Sequence, residues 1–130
     1  MNLESPKVTV AKSSAYIFEN LTNIQNFEKL MPENIAKFEV LDDKCFVFGL
    51  KGMPEIKLLL KGTTPTSQVV LGAASDKLPF TLTANLNELE AERTEVQLKF
   101  DGDFNPMMAM MIKGPIGKFI ETLATNMNKL

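Results

Sequence analysis

The sequence predicts an α+β fold: a seven-stranded antiparallel sheet, two short helices after the first strand, and a long C-terminal helix packed on the sheet's concave face. Three observations predict it. Between Ile35 and Phe104, apolar and polar residues alternate in runs that start at about ten-residue intervals, with turn-forming residues between them, which is the pattern of a meander rather than of parallel units. Ahead of that meander, "KSSAYIFENLTN" and "IQNFEKLMP" carry helical spacing. Behind it, Asn105-Pro106 opens a run whose apolar residues recur every three or four positions to Leu130.

Taken in order, "KVTV" at 7–10 alternates as a half-buried strand does, and Pro6 beside it suits a strand start or edge. Ser13 or Ser14 caps the first helix, in which Ala15, Ile17, Phe18 and Leu21 fall at helical spacing. The second helical turn stops at Pro32, which cannot continue a helix and restricts the residue before it. "KFEVLDDKCFVFGLKGM" reads as two strands joined at Asp42-Asp43. "EIKLLLKGT" places Ile56, Leu58 and Leu60 on one face, and "QVVLGAAS" is a less regular strand. "FTLTANLNE" sets Phe80, Leu82, Ala84 and Leu86 against Thr81, Thr83, Asn85 and Asn87, and "RTEVQLKFDGDF" repeats the alternation through Val96, Leu98, Phe100 and Phe104. "KGMPE" at 51–55 reads as a connecting turn.

In the last element Asn105 is a good N-cap and Pro106 a good first residue. Ile112, Ile116, Phe119, Ile120, Leu123, Met127 and Leu130 gather within an arc of about 100°, wide enough to bury against a sheet. Four of the chain's eight methionines, Met107, Met108, Met110 and Met111, lie just ahead of this stripe. On the same wheel only Met108 approaches the stripe. Pro115 removes the hydrogen bond to the Met111 carbonyl and Gly114 loosens the turn, so a kink or break is expected at 111–115, with the methionines on a separately oriented apolar turn.

Bulk composition narrows the function. The 130 residues read as one domain spanning 1–130, 45% apolar with a net charge of −2, and the lysines are scattered. No basic patch could neutralise a run of phosphates, so nucleic acid is not an expected partner. One cysteine, Cys45, excludes an internal disulfide. The start "MNLESPKVTV" lacks the features of a signal peptide, and no apolar run approaches the roughly 18 residues of a membrane span, so a cytoplasmic location is expected. The absence of histidine removes the usual general base and the commonest transition-metal ligand, leaving carboxylates, lysines or Tyr16 for any catalysis. Thioether copper binding has no His or second Cys to assist it, and no cofactor or metal is expected.

The order of elements, with "KVTVAKSSAYIFENLTNIQNFEKLMP", "GMPEIKLLL", "PFTLTANLNE" and a closing long helix, resembles the START-like (SRPBCC) superfamily. More narrowly, it is similar to the small bacterial proteins grouped with polyketide cyclases and lipid-transfer domains, which share the helix-grip, or Bet v 1-like, fold. The segment at 22–32 is the best local match and marks the fold rather than an active site. The resemblance implies a curved sheet wrapped around the C-terminal helix, with a cavity between them for a lipid or another hydrophobic or amphipathic small molecule. Fold alone does not fix activity in such a superfamily.

On that frame the expected ligand contacts are Tyr16, Phe46, Phe48, Leu58, Phe80, Leu82, Phe100, Met107, Met108 and Met111, with no catalytic residue assigned. Leu50, Ile56, Leu60, Val96 and Leu98 complete the inward faces. These faces are nearly all apolar, which leaves a cyclase without an obvious acid or base, so binding is favoured over catalysis. The enzymatic alternative, polyketide cyclase or dehydratase chemistry, rests on Glu19 or Tyr16, three residues apart on one helix face. A third reading makes the Met107–Met111 turn a protein-interaction surface, since methionine adapts to irregular partners. The chain is expected to be a monomer or a weak homodimer.

Overall fold

The computed structural model describes residues 2–33, 35–51, 55–73 and 80–130. Its strands are β1 (Asn2–Glu4), β2 (Val8–Val10), β3 (Ile35–Asp42), β4 (Cys45–Leu50), β5 (Ile56–Thr64), β6 (Gln68–Ala73), β7 (Phe80–Glu90) and β8 (Arg93–Gly102). Helix α1 (Ser14–Thr22) and a 3-10 helix (Ile24–Leu30) follow β2, and helix α2 (Pro106–Asn126) closes the chain with a 3-10 turn at Met127–Lys129. The expected turn residues Gly52, Met53 and Pro54, and the last residues of "QVVLGAAS", lie outside the described residues.

The sheet is antiparallel, in the order β1-β8-β7-β6-β5-β4-β3, with β2 also paired to β8. Seven positions are filled, as the alternation indicates, but the first strand differs from expectation. It is two strands rather than one run at 7–10, with Leu3 opposite Phe100 and Thr9 opposite Glu95. Pro6 has no N–H to give the ladder, and buried Ser5 bridges the interruption. The Ser5 amide donates to the Leu98 carbonyl at 2.8 Å, and the Ser5 hydroxyl accepts from the Leu98 amide at 2.9 Å.

From β2 the chain crosses to the far edge of the sheet through the two short helices. Ser13 caps α1, its Oγ accepting from the Tyr16 amide at 3.1 Å. The buried face of α1 is Ser14, Ile17 and Leu21, whereas Ala15 is exposed and Phe18 half-buried. Asn23 caps the 3-10 helix by accepting from the Gln25 amide at 3.3 Å, and Ile24, Phe27 and Leu30 turn inward. At the first hairpin, Asp42 Oδ1 accepts from the Lys44 amide at 2.8 Å, an Asx turn that lets the chain reverse between β3 and β4.

Helix α2 starts where expected, with Asn105 Oδ1 accepting from the Met108 amide at 2.8 Å and Pro106 next. It buries Ile116, Phe119, Ile120, Leu123 and Ala124, and Met127 and Leu130 extend the seam. The expected break at 111–115 is absent: α2 is one helix across Pro115, and the methionines form its first two turns rather than a separate turn. A proline removes its own N–H from the ladder and crowds the carbonyl four residues before it, and the cap ahead of it and the buried seam behind it hold the helix together against that cost. Among the described residues no helix is long and apolar enough to cross a membrane.

Replacing Ser5 by Ala leaves the buried Leu98 amide without its side-chain acceptor. The expected loss is about 1–3 kcal/mol of unfolding free energy, measured by urea denaturation.

Candidate functional site

The inward face of the sheet meets α2 through aromatic rings. Phe119 of α2 stacks on Phe48 of β4 with centroids 4.7 Å apart and planes 7° apart. Phe48 touches Phe46 at 6.2 Å, and Phe46 in turn stacks on Phe27 of the 3-10 helix at 5.3 Å. A second row, Phe80 on Phe100 at 5.1 Å and Phe100 on Phe104 at 6.0 Å, runs along β7 and β8. Between the rows is an enclosed gap lined by Phe48, Ile56, Leu58, Phe80, Leu82, Phe100, Ile116, Phe119 and Ile120. Its volume is about 10 Å³, room for one water molecule at most. Among the described residues, the space between these two aromatic rows is therefore filled by side chains.

Among the described residues, a larger open space lies at the mouth. A groove of about 470 Å³ runs between the end of the 3-10 helix, the end of β4 and the middle of α2. Its lining is Pro32, Glu33, Leu50, Lys51, Pro115, Lys118, Phe119 and Thr122. Phe119 is shared by the groove and the interior gap, so one ring forms the floor of the first and a wall of the second. Chain breakers create the concavity: Pro32 ends the 3-10 helix, and Pro115 interrupts the polar surface of α2 opposite it. On one side the groove is pinned, because Asn126 Nδ2 donates to the Leu30 carbonyl at 2.9 Å and ties the end of α2 to the end of the 3-10 helix.

Charge at the mouth is uneven. On the neighbouring strand, Lys37 is committed to Glu55 at 3.3 Å and Glu39 at 3.6 Å. The hydrogen bond and charge of Glu55, with a smaller contribution from Glu39, hold the Lys37 ammonium above its ordinary pKa. Lys51, Lys118 and Glu33 have no ion-pair partner among the described residues, so the groove offers two free ammonium groups and one carboxylate.

The residues named from sequence divide into three groups. Phe48, Leu58, Phe80, Leu82 and Phe100 come together around the interior gap, while Phe46 is fully buried one ring further in. Tyr16 is 41% exposed on α1, with Lys12 Nζ 5.3 Å above its ring, and Glu19 is exposed on the same helix. Neither lines the gap or the mouth. Met107 and Met111 are exposed, Met108 is half-buried, and none of the three lines either space. Pro32, Glu33, Lys51, Pro115, Lys118 and Thr122 were missed, although the two proline breaks "LMPE" and "KGP" mark the groove in the sequence.

No protein-family model matches the sequence, and no curated protein matches it by sequence. Solved structures do match in three dimensions. A START superfamily protein from Mycobacterium smegmatis superposes with a TM-score of 0.75 at 16% identity, over 98% of this chain and 94% of that one. Norcoclaurine synthase from Thalictrum flavum, in complex with dopamine and hydroxybenzaldehyde, superposes with a TM-score of 0.73 at 12% identity, over 99% of this chain and 84% of that one. A protein from Thermus thermophilus gives 0.73 at 9% identity, over 99% and 95%. At such identities the likeness shows the fold: the chain has the START/Bet v 1-like helix-grip fold.

Truncating the shared ring, Phe119→Ala, is expected to cost about 3–5 kcal/mol, as for other large-to-small changes in a packed core. Met110→Ala, on the outer face of the same helix, should stay within about 0.5 kcal/mol. Chemical denaturation of the two variants side by side checks the contrast.

Proposed function

We propose that this protein binds a hydrophobic or amphipathic small molecule at the mouth between the sheet and α2, without catalysis. The observation that carries the reading is the groove of about 470 Å³, a volume within the range of about 300–1,000 Å³ common for small-molecule sites. Its apolar surface comes from Pro32, Leu50, Pro115 and Phe119, and its polar groups from Glu33, Lys51, Lys118 and Thr122. Such a lining favours a ligand with an apolar body and a polar end. The interior gap is too small to take an acyl tail in this conformation, so the apolar body rests on Phe119 and deeper entry requires that ring to move. A similar fold holding dopamine and hydroxybenzaldehyde brings small amphipathic aromatics into the candidate set along with lipids.

Binding is preferred over cyclase or dehydratase chemistry because of where the candidate acid and base lie. Tyr16 and Glu19 stand on the solvent side of α1, outside the groove and the gap. General acid–base work requires a group within hydrogen-bond reach of the reacting atoms.

The test combines native mass spectrometry of the purified chain with titration by an apolar fluorescent probe and by small amphipathic aromatics. A retained small molecule or saturable probe binding is expected. Thr122→Trp, which fills the groove from its half-buried rim, should weaken that binding at least about tenfold while leaving the unfolding midpoint in place. Absence of any saturable binding, or binding indifferent to Thr122→Trp, overturns the reading.

A further inference from the structure

The charges of the groove are of unequal sign, and their places in the chain set what they can meet. Pro115, Lys118 and Thr122 stand three and four residues apart on α2, so they share one face of that helix, and all three line the mouth. Lys118 immediately precedes the floor ring Phe119, and Lys51 immediately follows Leu50 at the end of β4. Each ammonium is therefore carried beside an apolar residue of the groove, one on the helix and one on the strand. The acids nearby in sequence do not neutralise them. Glu55 is bound to Lys37 at 3.3 Å, and it lies across Gly49, where an added Cβ would meet the Glu55 Cγ at 3.6 Å. Glu39 is engaged by the same lysine at 3.6 Å. Glu33 is the one acid among the described residues that line the groove, and it forms no ion pair with Lys51 or Lys118.

On the reading that this groove holds a small amphipathic molecule, we infer that the ligand is an anion: an apolar ring or chain ending in a carboxylate or phosphate whose oxygens meet Lys51 and Lys118. An apolar body laid on Leu50 and Phe119 displaces water from beside both lysine side chains. A neutral head group would leave two partly dehydrated ammonium groups without a counter-charge, and a cationic one would add repulsion. An anionic head group supplies the charge that the protein lacks at this place. Glu33, next to Pro32, repels the same head group, which biases it toward the β4 and α2 side of the mouth.

Ligands that share a naphthyl body and differ in the head group test this: naphthoate, naphthyl phosphate, naphthalenemethanol and naphthalenemethylamine, each titrated by its own fluorescence. The anions are expected to bind at least about fivefold tighter than the alcohol and about twentyfold tighter than the amine, with the differences narrowing as salt is raised. Whichever anion binds tighter names the head group. Lys51→Gln and Lys118→Gln should each lower the anion-to-alcohol affinity ratio about threefold, and Glu33→Gln should raise it about twofold. All three side chains are exposed, so circular dichroism and the unfolding midpoint should stay as in the parent chain. The double variant Lys51→Glu, Lys118→Glu should reverse the order and make the amine the tightest of the series. An alcohol or amine that binds the parent chain as tightly as the anions, or an order that survives charge reversal, overturns this inference and leaves the groove as a binding site. Absence of saturable binding by any of the series overturns both.

Discussion

The contact on which the rest of the molecule depends is the stack of Phe119 on Phe48. The sheet has one curved apolar face to bury, and α2 is the element long enough to cover it. The near-parallel rings, 7° apart, fix where that helix sits. Through Phe46 the stack continues to Phe27, so the 3-10 helix that closes the far end is set by the same run of aromatic surface. Flat rings in face contact fill space with few torsions to freeze, which makes them economical spacers between a sheet and a helix. The mouth exists because this ring row stops at Phe119, where Pro32 and Pro115 face each other without side chains long enough to meet.

Space and chemistry therefore occupy different places. The inward faces of β4, β5, β7 and β8 supply apolar surface that is already satisfied by neighbouring side chains, as expected of a core at native packing density. The unsatisfied surface is at the rim, where Lys51 and Lys118, without ion-pair partners among the described residues, stand beside Leu50 and Phe119. Buried polar groups are few among the described residues: Ser5, Ser14 and Thr94, none of which lines the interior gap. Ser5 and Thr94 hold backbone, the latter through its hydroxyl donating to the Lys12 carbonyl at 2.8 Å. The polar side chains of the interior serve the connection between β2, α1 and β8 rather than a ligand.

Much of the fold was legible because each element carries its own local signature. The alternation survives in β7 as buried Leu82, Ala84 and Leu86 against half-buried Thr83 and Asn85, and Asn105-Pro106 opens α2 as capping chemistry requires. What was not legible depends on contacts distant in sequence. The interruption between β1 and β2 is stabilised by Leu98, and nothing within "NLESPKVTV" reveals that partner. Continuity of α2 through Pro115 was misread for a related reason: a local rule allows a break there, and the cap ahead of it and the buried seam behind it keep one helix. At the site, periodicity found the wall residues Phe48, Leu58, Phe80, Leu82 and Phe100, but it could not distinguish a wall from a filled core. That distinction depends on a few ångströms between layers, which no pattern of residue types encodes.

The tie between Asn126 and the Leu30 carbonyl has a mechanical consequence. It ties α2 at its C-terminal end, while the Phe119–Phe48 stack holds the same helix near its middle, so the C-terminal half is fixed along its length with Asn126 as the outermost point. At 1.5 Å per residue, Pro115 lies about 16 Å from that point and Met107 about 28 Å. The fully buried seam begins at Ile116, so the turns from Met107 to Met111 project beyond the part of the helix that packing holds.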